Sequence, residues 1–232
     1  MATTSGHTIK AFDEDLDRLR ALISQMGGLA EHAIRESMRC LIQRDLEGAE
    51  KIVANDKKLD ALEIETERRA IQVLALRAPM AGDLRDVVAA IKISSVVERI
   101  GDYAKNIAKR VPLIDKSGAI EPLSLMPEMA RIATEMVHEV LNAFVERDAE
   151  AAVRVCERDR AVDDFYNSIF RTLLTFMMEN PNNISQSTHL LFIAKNIERV
   201  GDHATNIAEM VYYAATGEHL ADRPRGQDLL RG

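Results

Sequence analysis

The sequence predicts an all-α protein with six long helices, arranged as a tandem duplication of a three-helix bundle. Three observations lead to this prediction: the composition favours helices, apolar residues recur with helical periodicity, and one motif occurs twice. Of the 232 residues 47% are hydrophobic but only 4% aromatic, with six prolines and no tryptophan. Leucine, methionine, alanine, glutamate and arginine, which favour helices, supply the bulk instead.

A segment of the first half returns in the second. Glu98-Arg-Ile-Gly-Asp-Tyr-Ala-Lys-Asn-Ile-Ala108 corresponds to Glu198-Arg-Val-Gly-Asp-His-Ala-Thr-Asn-Ile-Ala208, and most positions are identical. A second correspondence supports it: Arg44-Asp45, followed by Asp56 and Asp60, parallels Arg147-Asp148, followed by Asp159 and Asp163. Such internal similarity is the signature of a tandem duplication.

Helical periodicity predicts three helices in each copy. In the first copy they cover residues 8–44, 46–76 and 82–111, with Gly27-Gly28 as a local weakness or kink and with Pro79 and Pro112 marking the ends of the second and third. In the second copy they cover residues 125–146, 149–178 and 184–215. We therefore expect a first repeat at 1–117, a second at 118–216 and a flexible tail at 217–232, with 115–122 as the linker between repeats.

The bulk properties exclude several classes of protein. A net charge of −7 without a Lys/Arg-rich face argues against nucleic-acid binding. The two cysteines, Cys40 and Cys156, lie far apart and predict reduced thiols with neither a disulfide framework nor a zinc ribbon. The first ten residues lack the apolar core of a signal peptide, and no apolar run is long enough to span a membrane. The expected location is the cytoplasm.

The third helix of each copy has an apolar and an acidic side. At about 100° per residue, the apolar positions form core stripes: Ile93, Val97, Ile100, Ala104 and Ile107, then Ile193, Ile197, Val200, Ala204 and Ile207. The ladders Glu98-Asp102-Asn106 and Glu198-Asp202-Asn206 step by four and face nearly the opposite way. Asp56 and Asp60, and in the second copy Asp159 and Asp163, lie on the second helix, from which they could meet the ladder across a groove.

Carboxylates stacked along a helix repel one another, so something must offset the repulsion. One reading is a solvated charged face, neutralised by water and by neighbouring Arg99, Lys105, Lys195 and Arg199. The other is a metal site, because hard cations take several oxygen ligands from carboxylates and amide carbonyls. The duplicated asparagine favours the metal, since charge neutralisation alone would not need an amide there. Gly101 and Gly201 within the ladders are best explained by close helix packing.

The duplicated Glu-Arg-Ile/Val-Gly-Asp-x-x-x-Asn-Ile-Ala resembles the signature of the PhoU family, the accessory regulators of bacterial phosphate-specific transport. His7-Thr-Ile-Lys-Ala-Phe-Asp-Glu-Asp-Leu16 and Arg77-Ala-Pro-Met-Ala-Gly-Asp-Leu-Arg85 are similar to the same family. The resemblance spans residues 7–213 and implies a pair of three-helix bundles, the PhoU-like fold. It also implies metal clusters, of iron, zinc, manganese or magnesium, in two sites: Asp56, Asp60, Glu98, Asp102 and Asn106, then Asp159, Asp163, Glu198, Asp202 and Asn206.

The resemblance further implies a non-enzymatic regulator that acts in the cytoplasm as a homodimer. Such a protein couples the PstB-type ATPase of the Pst ABC transporter to a PhoR-type sensor histidine kinase. It restrains phosphate uptake and the phosphate-starvation response when phosphate is sufficient. The protein is expected neither to bind nucleic acid nor to insert into a membrane.

The turn before the third helix differs between the copies. Arg77, Asp83 and Arg85 belong to the turn of the first copy, whereas the second copy has Glu179-Asn-Pro-Asn-Asn-Ile184. We therefore expect partner specificity near these three charged residues. The alternative is that Asp83 caps the third helix and the two arginines are ordinary surface charges.

Two other functions stay open from the residues themselves. A metalloenzyme could use the ladders as a multinuclear centre, although no acid–base residue is duplicated beside them. A passive helical scaffold would carry solvated acidic faces and bind no metal. Glu135-Met-Val-His138 has the spacing of half a di-iron site, but a single such motif is best read as coincidence.

Overall fold

The computed structural model describes residues 4–114 and 124–220, with side chains from residue 12 onward. Within these ranges the chain forms seven α-helices and no β-strand. The helices are α1 (Thr4–Gln43), α2 (Leu46–Asn55), α3 (Lys57–Arg77), α4 (Ala81–Ala108), α5 (Met126–Glu146), α6 (Ala149–Glu179) and α7 (Ile184–Thr216). Helices α1 to α4 make up the first repeat and α5 to α7 the second, which confirms the all-α prediction.

The prediction of six long helices is confirmed with one local difference: the second helix of the first repeat, predicted to be continuous, is interrupted at a single residue. It is divided at Asp56 into α2 and α3, whereas its counterpart α6 runs unbroken past Asp159. The backbone of Asp56 keeps right-handed helical angles, and its carbonyl oxygen accepts a hydrogen bond from the Leu59 amide at 2.8 Å. The interruption is therefore one tightened turn, which the hydrophobic periodicity cannot reveal because the apolar stripe continues across it.

The junction between the first two helices is built identically in both repeats. Arg44 and Arg147 both adopt φ 57°, in the left-handed region. Each is followed by an aspartate that caps the next helix: Asp45 accepts from the Gly48 amide at 2.8 Å, and Asp148 from the Ala151 amide at 2.9 Å. The Arg-Asp correspondence thus has a structural basis, because a left-handed residue ends one helix and a capping carboxylate starts the next.

The predicted core stripes of the third helices are confirmed, because every one of their ten residues is buried. On the second helix of the first repeat, Leu59, Thr66 and Val73 are also buried. Large buried side chains of α1, including Leu19, Ile23 and Met26, join the same core. One apolar core thus extends through both repeats.

The two repeats pack through equivalent helices. Helix α1 lies antiparallel to α5: an added Cβ at Gly27 would stand 2.3 Å from Leu141 Cδ1, and Glu31 lies 3.1 Å from His138. Helix α4 lies antiparallel to α7: Tyr103 lies beside His203, and the Arg110 guanidinium lies over the Phe192 ring. Gly27 permits the close approach of α1 and α5. A local weakness or kink was predicted at Gly27-Gly28, but α1 is helical through both glycines.

Helix α7, the last helix of the second repeat, ends at a glycine. Gly217 ends α7 with φ 81°, and its amide donates to the Tyr213 carbonyl at 2.8 Å. The predicted linker at 115–122 lies outside the described residues, as does the predicted tail from residue 221 onward. Within the described ranges, no helix has the length and apolar character needed to cross a membrane.

Candidate functional site

Two acidic faces lie where the third helix of each repeat packs against the second. The first acidic face consists of Asp56, Asp60, Glu98, Asp102 and Asn106 on α2–α4. The second acidic face consists of Asp159, Asp163, Glu198, Asp202 and Asn206 on α6 and α7. The predicted division of each set between two neighbouring helices is thus what the structure shows.

A glycine at the middle of each ladder allows this close packing. A Cβ added at Gly101 would lie 2.7 Å from Leu59 Cδ2 and 3.8 Å from Asp56 Oδ1. At Gly201 it would lie 2.9 Å from Asp159 Oδ1 and 3.3 Å from Val162 Cγ1. Both glycines are buried, and both let the aspartate of the second helix approach the ladder of the third. The packing explanation for these glycines is therefore confirmed.

The first acidic face holds a lysine ammonium between its two helices. Lys105 Nζ donates to Asp102 Oδ1 at 2.5 Å and also to Asp56 Oδ2. The Asp56 side chain is only 10% exposed, so this contact is largely shielded from water. Burial opposes the charge of Lys105, but the two hydrogen bonds outweigh it and raise the pKa of the ammonium. The amine therefore stays protonated and acts as a fixed counterion.

Glu98 lies at the other end of the first acidic face. Burial, followed by the charges of Asp102, Glu63, Asp60 and Asp56, raises the pKa of Glu98 to about 7. Burial, together with the neighbouring carboxylates, thus keeps Glu98 partly protonated near neutral pH. This end of the face has a surplus of negative charge.

The second acidic face has its ammonium at the opposite end. Lys195 Nζ donates to Glu198 at 2.5 Å and lies 5.1 Å from the centre of the Tyr166 ring. Burial raises the pKa of Glu198 and the hydrogen bond from Lys195 lowers it, with a net rise. Burial, followed by the charge of Asp202, also raises the pKa of Asp163. The charge of Lys195 also acts on Asp163 and opposes this rise.

Lys105 and Lys195 both form ion pairs with residues of the acidic faces. Arg99 and Arg199 are exposed, and the Arg199 guanidinium lies 5.9 Å from the centre of the Tyr103 ring. The two asparagines of the predicted sets are both accessible to solvent: Asn106 is half-buried and Asn206 is exposed. Glu63 and Tyr166 were not predicted as members of the faces, because the two repeats carry different residues at this position.

The donor chemistry of both faces suits a hard cation. They present carboxylate and amide oxygens, and the first of them already holds a cationic group between carboxylates of two helices. In the arrangement seen across the described ranges, however, no three His, Cys, Asp or Glu side chains are placed to hold a metal ion together. A metal would therefore require these side chains to turn inward, with the lysine ammonium moving away.

A polar contact joins the two repeats between the acidic faces. Tyr103 and His203 occupy equivalent positions, their rings meet edge to face at 5.1 Å, and Tyr103 Oη lies 3.3 Å from His203 Nε2. Burial lowers the pKa of His203, so the imidazole is favoured in its neutral form. The two repeats thus carry different side chains at this position of the motif, and these two side chains contact each other.

The residues predicted for partner specificity lie around the start of α4. Arg77 forms an ion pair with Asp15 at 3.0 Å, and Arg85 Nε donates to the Ala214 carbonyl at 3.3 Å. Both arginines therefore also have intramolecular contacts. The alternative role of Asp83 as a helix cap is wrong, since the capping position is Met80 and Asp83 lies inside the first turn.

The remaining candidate motif has structural partners. Glu135 bonds Arg158 and Arg131, while His138 contacts Glu31 and Asn142. These contacts account for both side chains as surface ion pairs, so the reading of this motif as coincidence is consistent with the structure.

A family model described as "PhoU domain" matches residues 23–111 and again 126–211, one match in each repeat. The chain belongs to the PhoU family. The two PhoU matches fall on either side of the 115–122 linker predicted from the sequence, although the proposed outer boundaries of the repeats stay a prediction.

Relatives of this PhoU chain extend over nearly its whole length. It is 56% identical over 229 residues to a "Phosphate-specific transport system accessory protein PhoU homolog" of Zymomonas mobilis, covering 99% of this chain and 97% of that protein. A homologue of the same description from Rhizobium meliloti is 47% identical over 94% of this chain and 93% of its own.

The fold is shared with solved PhoU structures. The crystal structure of PhoU from Pseudomonas aeruginosa matches with a TM-score of 0.84 at 33% identity, covering 89% of this chain and all of that one. The phosphate transport system regulatory protein PhoU from Streptococcus pneumoniae matches with the same TM-score at 27% identity, covering 90% and 99%.

Proposed function

We propose that this protein is a non-enzymatic, metal-binding accessory protein of a phosphate-specific transport system, acting in the cytoplasm. It restrains phosphate uptake and the phosphate-starvation response when phosphate is sufficient. Its partners are a PstB-type transporter ATPase and a PhoR-type sensor histidine kinase, and it works as a homodimer. The near-complete alignment with PhoU homologues named for phosphate-specific transport supports the first part of this proposal.

The cation-binding part depends on one observation: Lys105 lies between carboxylates of two different helices. An ammonium bonded to both Asp56 and Asp102 marks a position where the fold stabilises positive charge. Asp56, Asp60, Glu98, Asp102 and Asn106 would hold a metal in the first acidic face. Asp159, Asp163, Glu198, Asp202 and Asn206 would hold one in the second.

A bound metal would supply positive charge that neutralises several carboxylates at once. The residues themselves do the rest. The buried glycine of each ladder keeps the two helices of each face close, so that a rotation of the side chains would bring carboxylates of both helices to one ion. An acidic face whose carboxylates are neutralised by a metal would repel an acidic surface of a partner less than a face without metal. Metal occupancy would thereby favour docking.

Elemental analysis of protein purified without chelator or affinity-tag metal tests the cation binding. Stoichiometric iron, manganese, zinc or magnesium is expected in the wild type. It should be lost in the variant Glu98→Ala, Asp102→Ala, Glu198→Ala, Asp202→Ala. A wild type that is empty, and stays empty after incubation with these ions, would remove the metal from the proposed function.

The regulatory role is tested separately in a strain that lacks the gene. A phosphate-starvation reporter and phosphate uptake are measured in phosphate-rich medium, with the wild-type gene or the fourfold variant restored at equal protein levels. The deletion should raise both, the wild type should restore repression, and the variant should restore it incompletely. Unchanged reporter activity and uptake in the deletion strain would contradict the proposal.

The partners are tested with purified components. The protein is expected to bind the isolated ATPase and the cytoplasmic part of the kinase in biolayer interferometry. Arg77→Ala, Asp83→Ala and Arg85→Ala are expected to weaken one or both complexes while the protein remains folded. Light scattering measures the oligomeric state, and a mass of one chain at micromolar concentration would contradict the homodimer.

A further inference from the structure

We infer that two copies of this chain pair through the outer side of α3, with their two α3 helices antiparallel. This inference rests on the homodimer proposed above and names its interface. The surface, which we call the α3 stripe, consists of residues that follow one another at alternating steps of four and three: Lys57, Ala61, Ile64, Arg68, Ile71 and Ala75.

The α3 stripe lies on the solvent side of the first repeat. At about 100° per residue it points directly away from the buried side of α3, which includes Leu59, Thr66 and Val73. All six residues of the stripe are exposed, and the two isoleucines, Ile64 and Ile71, are 64% and 54% exposed. Steps of four and three are also the spacing by which one helix packs against another in a coiled coil. The stripe is therefore an apolar row arranged for a further helix.

The second repeat lacks this row. The duplication places Asn167 at the position of Ile64 and Asp164 at the position of Ala61. At the positions that correspond to the stripe, apolar residues remain only toward the end of α6. Because α6 packs into the same core without an outer apolar row, the folding of a repeat does not require one. The row in the first repeat thus needs another explanation.

The charges of α3 identify the partner as a second copy. Residues 60–67 contain four acidic residues and no basic one, whereas residues 68–77 contain three arginines and no acidic residue. In an antiparallel pair, the acidic half of each α3 lies along the basic half of the other. In a parallel pair, like charges would meet. The charge pattern of α3 is therefore complementary to an antiparallel copy of itself.

Twofold symmetry then forms each favourable contact twice. The boundary between the acidic and basic halves lies at the middle of α3, between Glu67 and Arg68, and both of these residues are exposed. Arg68 of one copy would therefore lie near Glu67 of the other, close to the symmetry axis. This placement explains why an arginine interrupts the apolar row at its centre.

Sedimentation velocity of the full chain at micromolar concentration, with a chelator present, tests the apolar contact. The wild type is expected to be a dimer. Ile64→Asn, which copies Asn167, should weaken the dimer by about a hundredfold, because symmetry removes an isoleucine from both sides of the interface. Leu174→Asn is the matched control, since Leu174 is an exposed leucine of α6 at the position that corresponds to Ile71. It should change the dimer by less than about twofold, and circular dichroism verifies that each variant is folded.

Two charge variants test the antiparallel arrangement. Glu67→Lys places a lysine near Arg68 of the other copy, and Arg68→Glu places a glutamate near its Glu67. Each variant alone should therefore weaken self-association by about tenfold. A mixture of the two should form a heterodimer, because the new lysine then meets the new glutamate and the other pair stays as in the wild type. Native mass spectrometry separates the heterodimer from both homodimers.

The outcomes distinguish this interface from the homodimer itself. A wild-type dimer that Ile64→Asn leaves intact, or that Leu174→Asn weakens equally, overturns the α3 stripe as the interface and leaves the homodimer in place. Charge variants that dimerise like the wild type, or that form no heterodimer when mixed, overturn the antiparallel arrangement. A monomeric wild type overturns the interface and the homodimer together, even if Ile64→Asn then weakened binding of the ATPase or the kinase. The reporter experiment in the deletion strain decides the regulatory role independently of all these results.

Discussion

The two acidic faces have the same duplicated carboxylates on corresponding helices, yet they differ in where positive charge lies. In the first, Lys105 joins Asp56 and Asp102 near the break between α2 and α3. In the second, Lys195 pairs with Glu198 beside Tyr166, on a helix pair with no such break. The comparison shows that a duplication can preserve a set of carboxylate and amide residues while the neighbouring residues diverge, so that two similar surfaces acquire different electrostatics.

The largest difference is expected for the ladder glycines. Gly101→Ala should lower the free energy of unfolding by about 2 kcal/mol, because the new Cβ would push the buried Leu59 side chain out of the core. Gly201→Ala should cost less, about 1 kcal/mol, since its nearest obstacle is the half-buried carboxylate of Asp159. Urea denaturation measures both.

Gly28→Ala is the control for these variants. Nothing lies within 4 Å of an added Cβ at this exposed helical position, so alanine should raise the free energy of unfolding by up to about 1 kcal/mol. Equal losses for Gly101→Ala and Gly201→Ala would mean that the two helix interfaces do not differ in the way their nearest atoms indicate.

The second largest difference between the faces is expected in the pH dependence of stability. The pKa of Glu98 in the folded protein, about 7, lies above its ordinary value of 4.5. Charging Glu98 therefore costs stability as pH rises through 7, and no cost remains below about pH 4.5, where the carboxyl is protonated in both states. Glu98→Gln should raise the free energy of unfolding at pH 8 by about 1 kcal/mol, after allowance for solvent screening, with no gain at pH 4.

Glu198→Gln is the matched variant in the second face. It removes a carboxylate whose pKa is also raised, but it leaves Lys195 without that partner, so its gain at pH 8 should be smaller. Urea denaturation from pH 4 to 8 on chelator-treated protein measures both variants. If Glu98→Gln showed the same pH dependence as the wild type, the pKa of Glu98 would not be raised in the folded protein.

The lysines should have a smaller effect on stability in the absence of divalent cations. Lys105→Thr should lower the free energy of unfolding by about 1 kcal/mol and Lys195→Ser by about 0.5 kcal/mol, because the first lysine pairs with two carboxylates and the second with one. Thermal denaturation at low and high salt measures this difference. Losses that are equal, or that persist unchanged in 1 M salt, would contradict an electrostatic origin.

The smallest effect is expected at the contact between the repeats. Tyr103→Phe keeps the edge-to-face ring contact and removes only the hydrogen bond with His203, at a cost of about 0.5 kcal/mol. A double-mutant cycle with His203→Phe measures the coupling directly. Additive effects of the two substitutions would mean that the pair contributes no specific interaction.

Much of the fold could be predicted from local patterns. The stripe from Ile93 to Ile107 and its copy from Ile193 to Ile207 marked the core correctly, because burial along a helix follows a period of 3.6 residues. The break at Asp56 could not be predicted this way. The same apolar pattern passes through it, and its unbroken counterpart at Asp159 suggested continuity.

The candidate site was predictable in its duplicated members only. Asp56, Asp102 and their counterparts stood out because they recur at fixed spacing, and the structure brings them together across two helices. Glu63 and Tyr166 did not stand out, because this position carries a carboxylate in one repeat and an aromatic ring in the other. Aligning the repeats and examining the positions at which they differ would have revealed both.

The sequence by itself determined the helical class, the duplication, the core stripes and the two acidic ladders, because each depends on residues near one another along one chain segment. Only the tertiary structure decided which lysine meets which carboxylate and which helices pack across the repeats. Lys105 is three residues from Asp102 but 49 from Asp56, and their meeting requires α4 to pack closely against α3. Contacts of that kind depend on the packing of buried side chains such as Leu59 against Gly101, which no local periodicity encodes.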